Sequence, residues 1–540
     1  MNALRTMTLG ALAAVALAGC ATAQRAEKPA DETAPTPATT PPEPLTQPKS
    51  APEPAELMVR PLQPFQPMQT VVLADPQKPI VTFRLVFKAG SVDDPKGKEG
   101  ITALTAKVMA EGGTEALSSS ELLEALFPMA AELSVTTDKE FTAFTGRVHK
   151  DNLDRFFDIF TDVLLHPRFD PKEFERLRTD AVNQVRNELR GQDDETFGKV
   201  ALDALIYEGT PYAHYTGGTV QGLSSLTLED IKAHWKNVFT QDRLIIGLAG
   251  AVDDALKAKV TERLAALPPK GVPAVSFPKI PLRRGYTWIL EKPVLSTAIS
   301  MGYTWDLRRG DPDYFPIALA LSYLGEHRQF NGVLFNELRE KRGLNYGDYA
   351  YAEHFIQEGW GTFALTNIGR SQQDFSIWLR PVESPNALFA TRGAVYFLDR
   401  LVKEGIPEHK FELTRGFLMG YTRLWEQSDA RRLGYAIDSI VYDTPNFLDQ
   451  YRAALQKMTV ADVNAAVKRH LSPERLNYVF VAPDAAALKK LLVEQPAQPL
   501  SYPTPKPPAV LEEDKRIAAT RVPLDPQKIE QRDVAQFMER

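Results

Sequence analysis

A hydrolytic zinc centre built on a helix takes two imidazoles at i and i+4, which share one helix face, and a carboxylate beside them to draw a proton from water. In this 540-residue chain the eight histidines are His149, His166, His214, His234, His327, His354, His409 and His470, and none lies three or four residues from another. Singly scattered, they read as surface or packing histidines, with His214 in "PYAHY" the first to inspect. The stretch "GITALTAKVMAEGGT", Gly100 to Thr114, has helical spacing but carries no imidazole. No glycine-rich phosphate loop follows any strand-like run.

A chain of this length exceeds the ~250 to 300 residues at which a single core stops growing, so two large domains are expected. An apolar fraction of 44% and a charged fraction of 24% are ordinary for a folded protein. A net charge of −6 gives no basic footprint for nucleic acid, which is excluded as a partner. The first residues, "MNALRTMTLGALAAVALAGC", place Arg5 ahead of an apolar run and small residues ahead of Cys20. That order predicts a secretory signal over residues 1–19, shorter than the ~20 apolar residues of a bilayer-spanning helix. Cys20 is the sole cysteine, so no internal disulfide is possible. Its setting, "LAGC", resembles the lipobox of bacterial lipoproteins, which implies lipidation of Cys20. With Ala21 following in place of aspartate, the resemblance implies an outer-membrane anchor facing the periplasm. Residues 20–60 are rich in Pro, Ala, Thr and Glu and read as an extended tether, at ~3.1 Å per residue where polyproline-like.

Beyond the tether, "TVVLAD" and "IVTFRLVFKAGS" read as strands, and "AAELSVTTDKEFTAFTGRV" returns to strand after the helix. A helical stretch from Asn152 to Glu188 is broken near Pro167 and Pro171. Ile101, Leu104 and Val108 form an apolar stripe at i, i+3, i+7 that is expected to pack on the sheet. An internal repeat then sets the architecture. Leu226–Gly250 and Met458–Ala482 match at one offset, pairing Thr227 with Thr459, Asp230 with Asp462, and Arg243 with Arg475. Each copy opens on a Thr-x-x-Asp helix cap and runs into an apolar strand. Two homologous domains follow, 61–272 and 273–500, joined through a proline-rich linker, with a tail at 501–540.

With these features the chain resembles the pitrilysin/insulinase (M16) family of zinc metallopeptidases, of the bacterial and mitochondrial-processing-peptidase-like type. The residues that carry the resemblance are "AGSVDDPKGKEGITALTAKVMAEGGT" and "LFNELREKRGLNYGDYAYA". The implied fold is α+β, two homologous mixed α/β sandwich domains (mitochondrial-processing-peptidase/LuxS-like) forming a clamshell, with a wrap-around tail. In active members the helix bears His-x-x-Glu-His, and a further Glu follows about 75 residues on. Laid on this chain, those positions are Ala103, Ala106, Lys107 and Gln184, all substituted. The resemblance also implies that Arg339 and Tyr346 are the pair the second domain presents to substrate at the zinc site. A further departure is the strand after the helix, "AELSVTTDKEFTAFTG", which lacks the family's usual Asn.

The expectation is a chain inactive alone, holding no cofactor, that serves as the non-catalytic subunit of a heteromeric envelope peptidase. A homologous partner would bear the zinc motif and a peptide or protein would be the substrate. The alternative is a peptide-binding or scaffolding pseudopeptidase with no role in catalysis.

Overall fold

Runs of β-branched and aromatic residues such as "IVTFRLVF" and "NYVFVA" build the sheets, since such side chains pack well on a pleated surface. The computed structural model describes residues 56–64, 66–326, 331–356 and 365–539. The expected signal segment, Cys20 and the tether to residue 55 lie outside the described residues. The strands are β1 (Glu56–Met58), β2 (Gln69–Ala74), β3 (Ile80–Phe87), β4 (Glu132–Thr137), β5 (Thr142–His149), β6 (Leu244–Gly250) and β7 (Lys279–Pro281). They continue as β8 (Thr287–Glu291), β9 (Ser296–Trp305), β10 (Asp348–Tyr351), β11 (Gln373–Glu383), β12 (Asn477–Ala482) and β13 (Ile529–Asp533).

The first half forms a sheet of order β2-β6-β3-β5-β4 and the second a sheet of order β10-β11-β9-β12-β8-β13. Read from its other end, the second sheet repeats the first strand for strand and adds β13. In both, the half's opening strand lies parallel to its closing one, β2 on β6 and β8 on β12. The repeated caps also agree. Thr227 and Asp230 exchange reciprocal bonds at their helix start, as do Thr459 and Asp462. The expected pair of homologous α/β halves is therefore the observed fold.

The halves are interlocked. The Asp194–Ile206 helix of the first half lies on β9 and β12 of the second, and its counterpart, Asp429–Val441, lies on β6, β3 and β2 of the first. At one crossing the strand residue is glycine for want of space: a Cβ on Gly247 would stand 2.9 Å from Ile437 Cδ1. Between the crossings runs a buried polar seam. Arg370 donates from Nε and Nη2 to the two oxygens of Asp138, at 2.8 and 2.9 Å. Ser371 donates from Oγ to Glu140 at 2.9 Å, and Arg84 donates to the Thr366 carbonyl at 3.0 Å and to Asn367. The tail closes the structure: β13 pairs with β8, and the amides of Val220 and Gln221 donate to the carbonyls of Met538 and Glu539 at 3.0 and 2.7 Å.

Two expectations need correction. The end of the Pro-rich segment is docked, because β1 pairs with β7, Arg60 meets Asp311 at 2.6 Å, and Leu62 is buried. Ile101, Leu104 and Val108 do not face the sheet. They pack with Leu177, Leu205, Leu223 and Ile231 of neighbouring helices, whereas Ala106, Met109 and Ala110 pack with Phe83, Phe87 and Phe144 of the sheet. The helix is apolar on two faces because helices cover it on one side and the sheet on the other, and small Ala106 lets it lie close to the strands.

Arg370 and Asp138 are both buried, so removing one partner strands the other charge. Arg370→Met or Asp138→Leu alone is expected to cost ~3–5 kcal/mol, and the double replacement far less than the sum of the two. Equilibrium urea unfolding of the three variants measures this.

Candidate functional site

The motif helix, Ile101–Glu111, starts where Gly100 adopts φ +100°, a left-handed geometry suited to glycine, and Gly100 also lies so close to Gly218 that a Cβ would sit 2.8 Å from its Cα. Its first donors are orphans by geometry, and the Asp94 carboxylate takes them: Gly100 N at 2.7 Å, Thr102 N at 3.0 Å and Thr102 Oγ at 2.6 Å. His214 Nε2 lies 3.2 Å from the same carboxylate, and His234 Nε2 lies 2.7 Å from Thr102 Oγ. These histidines brace the start of the helix.

A cavity of about 690 Å³ opens between the halves. Ala103, Lys107 and Gln184 line it, together with β4 residues Val135 to Thr137. Ala106 does not, being buried against the sheet. The positions that the resemblance gives to zinc thus offer the cavity a methyl, an ammonium and an amide. A catalytic zinc does not fit them. At ~5 Å and an effective dielectric of ~20, one ammonium repels a dication by about 7 kcal/mol.

The floor of the cavity is charged. Asp138 and Arg370 meet there, with Asp203, His354 and Asp374 alongside, and the Tyr207 hydroxyl donates to Asp374 at 3.0 Å. Burial would raise the Asp138 carboxyl, but the Arg370 guanidinium, by charge and hydrogen bond, holds it well below the usual carboxylate range. Asp374 is pushed the other way, up to about 7, by burial and by the charge of Asp203. Burial, with the positive charge of Arg370, lowers His354 to about 4, so its imidazole is neutral. Lys139 is lowered to about 8 by burial, and its ammonium donates to the His214 carbonyl.

Arg339 and Tyr346 lie beside this cavity and do not line it. Arg339 is on a π-helical turn, Phe335–Glu340, just as Gln184 opens one at Gln184–Leu189. Its guanidinium stands over the rings of Phe335 and Tyr346, at 4.5 and 4.8 Å, and pairs with Glu340 at 3.2 Å. Tyr346 is 68% exposed. Arg380 links the pair to the cavity wall: it lies 5.4 Å from the Tyr346 ring centroid and pairs with Glu195 at 3.0 Å.

Comparison with known proteins places this fold in a family. The model of the insulinase family (peptidase family M16) matches residues 69–219, and that of the peptidase M16 inactive domain matches 225–416. The chain belongs to the insulinase (M16) family. It is 22% identical over 409 residues to the non-peptidase homolog YmxG of Helicobacter pylori, spanning 75% of this chain and 89% of that one. It is 24% identical over 394 residues to an uncharacterized zinc protease of Mycobacterium bovis, spanning 71% of this chain and 83% of that one. A 143-residue stretch, 26% of each chain, is 29% identical to a probable mitochondrial-processing peptidase subunit beta of Arabidopsis thaliana. The peptidase M16 inactive domain structure from Pseudomonas fluorescens superposes with a TM-score of 0.67 at 21% identity, over 78% of this chain and 98% of that one.

Within this M16 fold, sequence reasoning missed Asp138, Asp203, His354, Arg370 and Asp374. They come from four separate segments, and no local spacing marks them as a site. His214 was singled out, and it lines the cavity.

Near Arg339, the M16 chain buries Asp348 completely, and burial pushes its carboxyl up to about 8. The folded value lies above the ordinary 3.8, so the group's contribution is full below that value and is lost as pH rises toward 8. Asp348→Asn removes this dependence. Its stability relative to wild type is expected to rise by on the order of 2 kcal/mol or more between roughly pH 5 and pH 9, as followed by urea midpoints.

Proposed function

We propose that this M16 chain is the non-catalytic subunit of a heteromeric zinc peptidase of the bacterial envelope, supplying Arg339 and Tyr346 to a homologous partner that holds the zinc. The observation that carries this reading is the cavity itself. It keeps the form of a peptide site, bordered by β4, which ends its sheet with an outer edge unpaired among the described residues, while its metal positions are Ala103, Lys107 and Gln184. An edge strand accepts an extended peptide through backbone donors and acceptors, so the missing Asn of that strand does not prevent binding. Cleavage needs a metal and a base that these positions do not provide. The exposure of Tyr346 and its contact with Arg339 leave a hydroxyl and a guanidinium available to chemistry outside this chain's own cavity. The lipidated Cys20 and the Pro-rich segment would hold the folded body off an outer membrane, facing the periplasm.

A second reading is a peptide-binding scaffold with no part in catalysis. It is favoured by one observation, that Arg339 and Tyr346 stand outside the cavity that β4 borders.

Mixing separates the two. The chain alone is expected to hydrolyse no peptide from a casein digest, and activity is expected on adding a co-purifying chain with His-x-x-Glu-His. Arg339→Ala and Tyr346→Phe are then expected to lower kcat/KM of the mixture by ~10²-fold, with circular dichroism and melting unchanged. Peptide binding by the chain, with no zinc-motif chain co-purifying and with both variants silent, would leave the scaffold reading.

A further inference from the structure

We infer that Asp203, His354 and Asp374 form a divalent-cation site of the zinc or manganese class on the cavity floor, joining the two halves of the fold. Asp203 comes from the Asp194–Ile206 helix of the first half, and His354 and Asp374 from beside β10 and from β11 of the second. One ligand atom from each lies within 4.8 Å of the other two. A triangle with that edge places each atom at most ~2.8 Å from its centre, so closing by under ~1 Å reaches the ~2.0–2.2 Å of zinc–nitrogen and zinc–oxygen bonds.

An independent observation points the same way. Ser376 lies two residues along β11 from Asp374, hence on the same strand face, and lines the same cavity. It is 2% exposed, and its Oγ has no hydrogen-bond partner among the described residues. A buried hydroxyl left without a partner costs ~1–3 kcal/mol, and a ligand or water on a bound ion would supply one.

Asp203 and Asp374 bring two carboxylates to the site, with Arg370 beside them. Arg370 spends Nε and Nη2 on Asp138, and its Nη1 stands 4.0 Å from both Asp203 and Asp374, too far to bond either. Lys107 is a different case, with no carboxylate paired to it among the described residues. One imidazole with two carboxylates is a mixed nitrogen and oxygen set that suits Zn²⁺ or Mn²⁺ and offers no soft thiolate. This amends the expectation of no cofactor in this chain, while a catalytic zinc stays with the partner. The site is separate from Ala103, Lys107 and Gln184, and its role is to join the halves.

The full chain, stripped with EDTA and dialysed against zinc chloride or manganese chloride, is assayed for metal content and melting temperature. About one ion per chain and a raised melting temperature are expected with at least one of the two metals. Asp374→Asn and His354→Gln are expected to weaken retention at least ~10-fold, and Lys107→Ala to keep it. Calorimetric titration of the wild-type chain reads the site without relying on any variant. No heat, no retained ion and no shift with either metal would overturn the assignment, as would equal retention by folded Asp374→Asn and His354→Gln. No peptide hydrolysis is read, so the outcome is independent of the subunit reading.

Discussion

One buried ion pair ties the two halves together at the cavity floor: Asp138 with Arg370, separated by 232 residues in sequence and closed by two hydrogen bonds. Taking two such charges out of water costs several kcal/mol per ion, which only near-ideal geometry and further partners offset. Both conditions hold. The guanidinium meets the carboxylate with two donors, and the next residue, Ser371, reaches Glu140 from the same loop. The pair fixes the turn after β4 to the entry of β11, and so ties the edge strand β4 to the acids of the cavity floor.

That pairing works because the halves are not independent bodies. Each lays a helix on the other's sheet, so one apolar cluster joins Leu202 and Leu205 of the first half to Ala298, Val479 and Val481 of the second. Another joins Val86 and Ile245 to Ile437 and Val441. The tail strand β13 extends the second sheet, and the residues after it bond to the first half. A duplicated fold with shared cores gains stability only when both copies are present, and its contacts are mostly distant in sequence, which favours slow, cooperative folding.

The duplication was legible in the sequence because a helix cap leaves a local signature: Thr227 with Asp230 and Thr459 with Asp462 are three residues apart in both sequence and structure. The strands were legible from their β-branched runs. The helix exchange was not, because an amphipathic pattern says that a face is buried and does not say by which sheet. For the same reason the stripe of Ile101, Leu104 and Val108 was assigned to the sheet when helices cover it. The docking of residues 56–64 was hidden by composition, since prolines read as tether whether or not the chain then pairs at β1. At the site, the substituted positions Ala103, Ala106 and Lys107 were legible because they sit on one helix frame. The floor was not, because Asp203, His354 and Asp374 meet only through tertiary structure.

The geometry also explains how a metallopeptidase frame persists with its metal positions substituted. Along the motif helix, the residues that the fold needs and those that the chemistry would need point in different directions. Ile101, Leu104, Ala106, Val108 and Met109 are buried in two apolar clusters, and Gly100 and Thr102 anchor the helix start to Asp94. Ala103 and Lys107 face the cavity and contribute to neither cluster. Replacing an imidazole at either position leaves the packing intact, so the loss of ligands carries little penalty for folding. Ala106 is the exception, because its Cβ points at the sheet. A glutamate there would bury a carboxylate unless its longer chain turned back to the cavity, and alanine relieves that constraint. Once the metal is dispensable, the position of the general base is therefore the one where its loss favours the fold.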